Sequence, residues 1–183
     1  MTNTYYHLSV NQLSPGTVLE SRFGVSNRER RIYDIVHSAI VEGPLVLKSI
    51  LLAESYLLAA QDHDGCLPMY LKEIIFEQIR KEQFPNRPPR LGSKFLCPTL
   101  GDINKLKATF PERTYVYSCE INEGVSATLD LIFARSTTNL FPIDAQLNQL
   151  RTDAFHYWNG DLSNNPIMEV VTSGKVIILD IVV

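Results

Sequence analysis

Residues 168–183 read MEVVTSGKVIILDIVV: two apolar runs rich in Val and Ile on either side of Ser173-Gly174. β-Branched side chains favour extended backbone and Ser-Gly supplies a tight turn, so the pattern predicts a closing β-hairpin. Working back from it, residues 144–158 place Leu147, Leu150, Ala154 and Tyr157 on one side of a helix. Residues 126–134 read as a strand, and residues 114–122 (TYVYSCEIN) give the best strand signal in the chain. Before these come a short helix over residues 102–110 and a strand in LGSKFLCPT that ends at Pro98. The preceding FPNRPPR holds too many prolines for a helix and forces an extended approach.

Upstream the texture is helical. After the loop at residues 61–65, a helix places Leu71, Ile74, Ile75 and Ile79 inward, with Lys72, Glu73, Arg80 and Lys81 outward. Two earlier helices are predicted. One follows Asn27, with Ile32, Val36 and Ile40 at four-residue spacing; the other starts at Pro44, with Leu47, Ile50, Leu51, Leu57 and Leu58 on a face. TYYHLSV at the front alternates as a short strand, followed by a turn at Ser14-Pro15-Gly16 and by Thr17-Val18-Leu19. One strand, a helical block and then mostly strands make an α+β layout rather than alternating βα units. Residues 1–183 form a single domain on this reading.

Composition narrows the function classes. With 183 residues, 45% of them hydrophobic, the chain can bury a core and is not disordered as a whole. No apolar run approaches the roughly 18 residues that span a membrane. MTNTYYHLSV has neither a basic nor an apolar leader region, and the expectation is a cytoplasmic protein that meets no membrane. Cys66, Cys97 and Cys119 stand at unrelated spacings, which argues against a disulfide framework or a structural metal. Asp62, His63 and Asp64 lie too close together for a convincing metal site. Net charge is −3, but residues 72–113 hold nine Lys/Arg against five Asp/Glu. That segment reads first as an ordinary solvated face and second as an attraction for a phosphate-bearing ligand. GxGxxG, P-loop, HExxH and GxSxG motifs are absent.

A few residues stand out chemically. His7 and Ser9 share a face of the first strand beside Tyr5 and Tyr6, and read either as satisfied core polar groups or as a pocket wall. Glu169 leads an apolar strand; it either marks the strand's wet end or faces a pocket, where its charge could stabilise a developing cation. Arg90 follows two prolines and precedes Gly92 and Ser93, a setting that suits bidentate phosphate binding or a plain surface arginine. Phe155-His156-Tyr157-Trp158 reads first as core or core edge and second as a stacking platform. Cys97 and Cys119 fall in apolar strands without a basic neighbour, a poor setting for a thiol nucleophile.

These residues resemble the ADP-ribosyltransferase fold, in the branch of diphtheria toxin and the poly(ADP-ribose) polymerases. An H-G-[ST] motif on the first strand is matched by His7-Leu8-Ser9, followed by Leu13-Ser14-Pro15-Gly16 like the L-x-P-G turn of small rifampicin-modifying members. A tyrosine-bearing strand followed by a short helix is matched by residues 92–97, with Phe95 in place of the tyrosine. A glutamate opening a late strand is matched by Glu169. The chain also looks like an uncharacterised bacterial and phage domain family sharing Y-H, fP-x-x-P-x-R-x-x-S-x-F and a Y-W before the final glutamate.

The resemblance implies a split β-sandwich with the helical block inserted after the first strand. It implies NAD as co-substrate, with ADP-ribose moved to a protein, nucleic-acid or small-molecule acceptor and nicotinamide released. His7 would hydrogen-bond an adenosine ribose, and Ser9 and the Leu8 backbone would hold the nicotinamide half. Glu169 would bond the nicotinamide-ribose 2′-hydroxyl and stabilise the oxocarbenium-like transition state. Arg90 is assigned to the pyrophosphate from its chemistry. Ser93, Phe95 and Tyr157 complete the NAD-contacting set. The alternatives are an NAD glycohydrolase using water as acceptor, a non-catalytic nucleotide- or protein-binding module on the same fold, and an interaction protein presenting its helical block.

Overall fold

The computed structural model describes residues 4–19, 66–135 and 143–182. The predicted helices after Asn27 and Pro44 and the loop at residues 61–65 lie outside them. Within them the chain is α+β, with three helices and two antiparallel sheets. The order is β1 (Tyr5–Ser9), β2 (Val18–Leu19), α1 (Cys66–Gln83), β3 (Lys94–Leu96), α2 (Leu100–Thr109), β4 (Tyr115–Asn122), β5 (Ser126–Asp130), α3 (Ile143–Asn159), β6 (Met168–Thr172) and β7 (Lys175–Ile181). No described helix is long and apolar enough to cross a membrane.

The closing hairpin is not there. β7 belongs to a four-stranded sheet ordered β1-β4-β7-β2, and β6 to a three-stranded sheet ordered β3-β6-β5. The Ser173-Gly174 turn therefore carries the chain from one sheet to the other. Val170 of β6 and Val176 and Ile178 of β7 stack in one apolar cluster between the sheets instead of pairing edge to edge. The link from β4 to β5 makes the same jump through Glu123 and Gly124, both in the left-handed region at φ 61° and 81°. The two turns touch: a Cβ on Gly124 would lie 2.5 Å from Gly174 Cα, and one on Gly174 would overlap the Glu123 carbonyl oxygen. Glycine is required at both because there is no room for a methyl group.

Three apolar layers result. α1 and α3 cover one face of the three-stranded sheet, through Leu71, Ile75 and Phe76 from α1 and Leu147 and Leu150 from α3, packed on Leu129 and Val171. A second cluster fills the space between the sheets. A third, of Leu8, Cys97, Ile103 and Val116, seats α2 against β1 and β4. The inward positions expected on α1 (Leu71, Ile74, Ile75 and Ile79) are all buried, as are Leu147, Leu150, Ala154 and Tyr157 on α3. Lys72 and Glu73 are also buried, contrary to their expected outward position, because the neighbouring elements surround this turn of α1.

The strand expected over residues 126–134 stops at Asp130 and continues as a 3-10 turn, Leu131–Ala134. The Asp130 carboxylate causes the break. It accepts from Ile132 N at 3.0 Å, and from Ser163 N at 2.8 Å and Ile167 N at 3.1 Å in the loop that leads into β6. Asp102 in the first turn of α2 adds a bond from Met168 N at 3.0 Å. Two carboxylates thus fix the chain immediately before Glu169.

Candidate functional site

Arg90 is the centre of the most polar buried region. Pro88 and Pro89 stiffen the approach to it, and Ser93 closes the turn, N–H to the Arg90 carbonyl at 3.1 Å and Oγ to the Pro89 carbonyl. The Arg90 side chain points inward and is 4% exposed. Its Nε and Nη2 donate to the two Glu73 carboxylate oxygens at 2.8 and 3.2 Å. Nη1 donates to Glu169 Oε1 at 2.9 Å and meets the Tyr157 hydroxyl. That hydroxyl donates to the same Glu169 oxygen at 2.6 Å. The guanidinium lies 4.7 Å from the Phe95 ring centroid and 4.9 Å from that of Tyr157. Lys72 Nζ donates to the Ala134 carbonyl at 2.9 Å and pairs with Glu73 Oε1 at 3.1 Å.

Each participant is set by its local structure. α3 ends in a Schellman motif in which Gly160 N–H bonds the Tyr157 carbonyl and Asp161 N–H bonds that of His156, with Gly160 at φ 84°. That fixes the last turn bearing Tyr157. Trp158, next to it, donates its indole N–H to the Phe76 carbonyl at 2.8 Å and locks α3 to α1. Phe95 faces Val171 across the β3–β6 pair.

The electrostatics follow from two cations and two carboxylates sharing a dry site. Burial pushes Glu73 up, but the adjacent Arg90 and Lys72 charges outweigh it and hold the carboxyl below the usual range. Burial lowers Lys72, against the pull of Glu73. Arg90 is held well above its ordinary value by Glu73, Tyr157 and Glu169 despite its burial. Burial raises Tyr157 well above the ordinary phenol, and Glu169 adds to the effect, so its hydroxyl stays a donor. Cys97 and Cys119 are pushed up to about 12, first by burial, which leaves both as inert thiols.

The structure brings Arg90, Phe95, Tyr157 and Glu169 together, with Ser93 bracing the turn. His7, Leu8 and Ser9 are elsewhere. Glu169 alternates along β6 with Val170, which faces the space between the sheets, so Glu169 faces the helices with Val171. His7 pairs with Tyr117 and shares its side of β1 with Tyr5, toward the cluster between the sheets. Tyr6, bridged to Cys97 by N–H···O bonds of 2.7 and 2.8 Å, is the β1 residue whose side continues that of Phe95. Leu8 fills the α2 cluster, and Ser9 Oγ accepts from Asn11 N at 3.0 Å. The bidentate partner of Arg90 is Glu73, so a pyrophosphate would have to displace a carboxylate there.

Glu73 and Lys72 were missed by the reading of charge as surface. The signal was present in Leu71-Lys72-Glu73-Ile74-Ile75-Phe76: apolar residues occupy so much of the helix circumference that the two charges have no wholly polar face to occupy. Among the described residues, no group of three or more His, Cys, Asp or Glu side chains is placed to hold a metal ion.

No curated protein matches the chain. A family model described as "Protein of unknown function (DUF2441)" matches residues 49–183, which is most of its length, and the chain belongs to that family.

Proposed function

We propose that the chain is an ADP-ribosyltransferase-like domain, cytoplasmic and NAD-dependent, in which Glu169 acts on the nicotinamide ribose. The supporting observation is strand adjacency. β1 is bridged to the end of β3 at Tyr6 and Cys97, and β3 pairs with β6 over residues 94–96 and 170–172. The strands carrying His7, Phe95 and Glu169 are therefore neighbours, although they are far apart in sequence. The division into two sheets joined along β1 and β3 also fits the split sandwich of that fold. Arg90 contributes by orienting Glu169, through the Nη1 bond to Oε1 at 2.9 Å, in a buried setting where a preorganised group acts most strongly on a developing cation. The acceptor for ADP-ribose is a protein, nucleic acid or small molecule.

The test is nicotinamide release from NAD by the purified protein, with and without cell lysate, together with NAD binding by calorimetry. Release that rises with lysate supports transfer, and release without it supports hydrolysis. Glu169→Gln should lower kcat on the order of a hundredfold while circular dichroism still reports a folded chain. Absence of both binding and release by the wild type would overturn the proposal.

A second reading, a non-catalytic module on this fold, is favoured by the site itself. Glu169 is 5% exposed and already bonded to Arg90 and Tyr157, so its burial has a structural explanation. On that reading Glu169→Gln changes stability alone.

A further inference from the structure

We infer that Glu73, backed by Lys72, is a positioning residue that fixes the Arg90 guanidinium so that its Nη1 edge meets Glu169. The inference rests on the reading that Glu169 acts on bound substrate, and adds to it a residue on a different element that no motif marks. A guanidinium is fixed when one edge and its faces are both held. Glu73 takes the Nε–Nη2 edge through both carboxylate oxygens, the side-on geometry that specifies orientation as well as position. The ring centroids of Phe95 and Tyr157 lie within 5 Å of it, and that of Phe76, 5.7 Å from the guanidinium carbon, completes the enclosure. Nη1 is then left for Glu169 and Tyr157.

Glu73 is itself anchored. Lys72 holds one of its oxygens and is tied to the Ala134 carbonyl, so the helix, the 3-10 turn after β5 and the Arg90 turn converge on one carboxylate. The charge count points the same way. Lys72 and Arg90 balance Glu73 and Glu169; without Glu73, two cations would share Glu169, and nothing would hold the far edge of Arg90.

The experiment compares wild type, Glu73→Gln and Glu73→Asp by nicotinamide release and by ¹⁵N spectra of arginine-labelled protein. Glu73→Gln is expected to lower kcat on the order of a hundredfold, as a displaced catalytic group does, and to change KM for NAD by less than about threefold. Glu73→Asp, which keeps the charge, should recover about a tenth of wild-type kcat or more. In the spectra, Arg90 should give separate Nη1 and Nη2 signals in the wild type and a merged signal in Glu73→Gln. Wild-type kcat in Glu73→Gln would overturn the inference, and so would equal losses in both variants that merely follow their unfolded fraction. If the wild type neither binds NAD nor releases nicotinamide, the proposed function fails and the spectra still decide: merging supports the role of Glu73, and two persisting signals overturn it.

Discussion

At one end of β6, Glu169 sits among Lys72, Glu73 and Arg90; just past the other end, Gly174 presses on the backbone of Glu123 and Gly124. The first end is held by charge. Its polar atoms are paired through side chains from α1, the Arg90 turn and α3, and the surrounding rings keep water out. The second end is held by shape, two sheet-switching turns in contact with no space between them. The difference teaches that a short strand can be fixed by two unrelated kinds of force, each with its own vulnerability. The charged end should tolerate changes in volume better than changes in charge, and the turn end the reverse.

The largest effect expected is at Arg90. Arg90→Met approximates the volume but leaves Glu73 and Glu169 buried without their shared cation. Removing one member of such a pair costs about 3–5 kcal/mol, to be read from urea denaturation. A loss below about 1 kcal/mol, the range of exposed ion pairs, would show that the end is not held by charge.

Next comes Asp130, whose carboxylate bonds three backbone N–H groups at the same end. Asp130→Asn keeps one carbonyl oxygen and presents an amide NH₂ to groups that are themselves donors, a loss of about 1.5–3 kcal/mol at pH 7. Burial pushes Asp130 up, but its hydrogen bonds outweigh that and depress it. A depressed carboxyl contributes stability that is fully present above its unfolded value, about 3.9, and lost as pH falls through the folded one. The gap between wild type and variant should hold from neutral pH to about 5 and narrow below about 4. A gap that stays constant into acid would remove the charge from the explanation.

Gly174→Ala tests the opposite end. The added methyl meets the Glu123 carbonyl oxygen and the Ile121 side chain, and overpacking of this kind costs about 1–3 kcal/mol. The loss should be the same at pH 7 and pH 4, since no described titrating group forms the contact. A pH-dependent loss would merge the two ends into one electrostatic unit.

The same contrast explains what was legible in the sequence. Helix faces built on Leu71, Ile74 and Ile75, or on Leu147 and Leu150, follow from the 3.6-residue period, because burial on one face is a local pattern. The closing turn was misread because Val170-Val171 and Val176-Ile177-Ile178 look alike whether the strands pair or stack; only the long-range partners β3, β4 and β5 decide. Within the site, Glu169 and Arg90 stand out by their neighbours in sequence. Glu73 does not, because its bidentate partner Arg90 is 17 residues away and the neighbouring Lys72 makes the pair look like ordinary surface charge. The resemblance assigns His7 and Glu169 to one NAD site, but strand alternation turns their side chains to different sides of the joined sheets.

The smallest expected effect is the sharpest test of how the charged end works. Tyr157→Phe removes a hydroxyl that donates to Glu169 and meets Arg90, while the ring stays against Phe76 at 5.3 Å between centroids and beneath the guanidinium. Glu169 and Arg90 remain bonded to each other at 2.9 Å, so no charge is left alone. If charge pairing carries this end, losing one hydrogen bond should cost about 0.5–1.5 kcal/mol and leave the denaturant slope unchanged. A cost as large as that of Arg90→Met would mean that the hydroxyl, and not the ion pair, organises the cluster. Tyr157 would then replace Arg90 as its centre, and the charged end would be held by hydrogen-bond geometry, nearer in kind to the close-fitting turns at the other end of the strand.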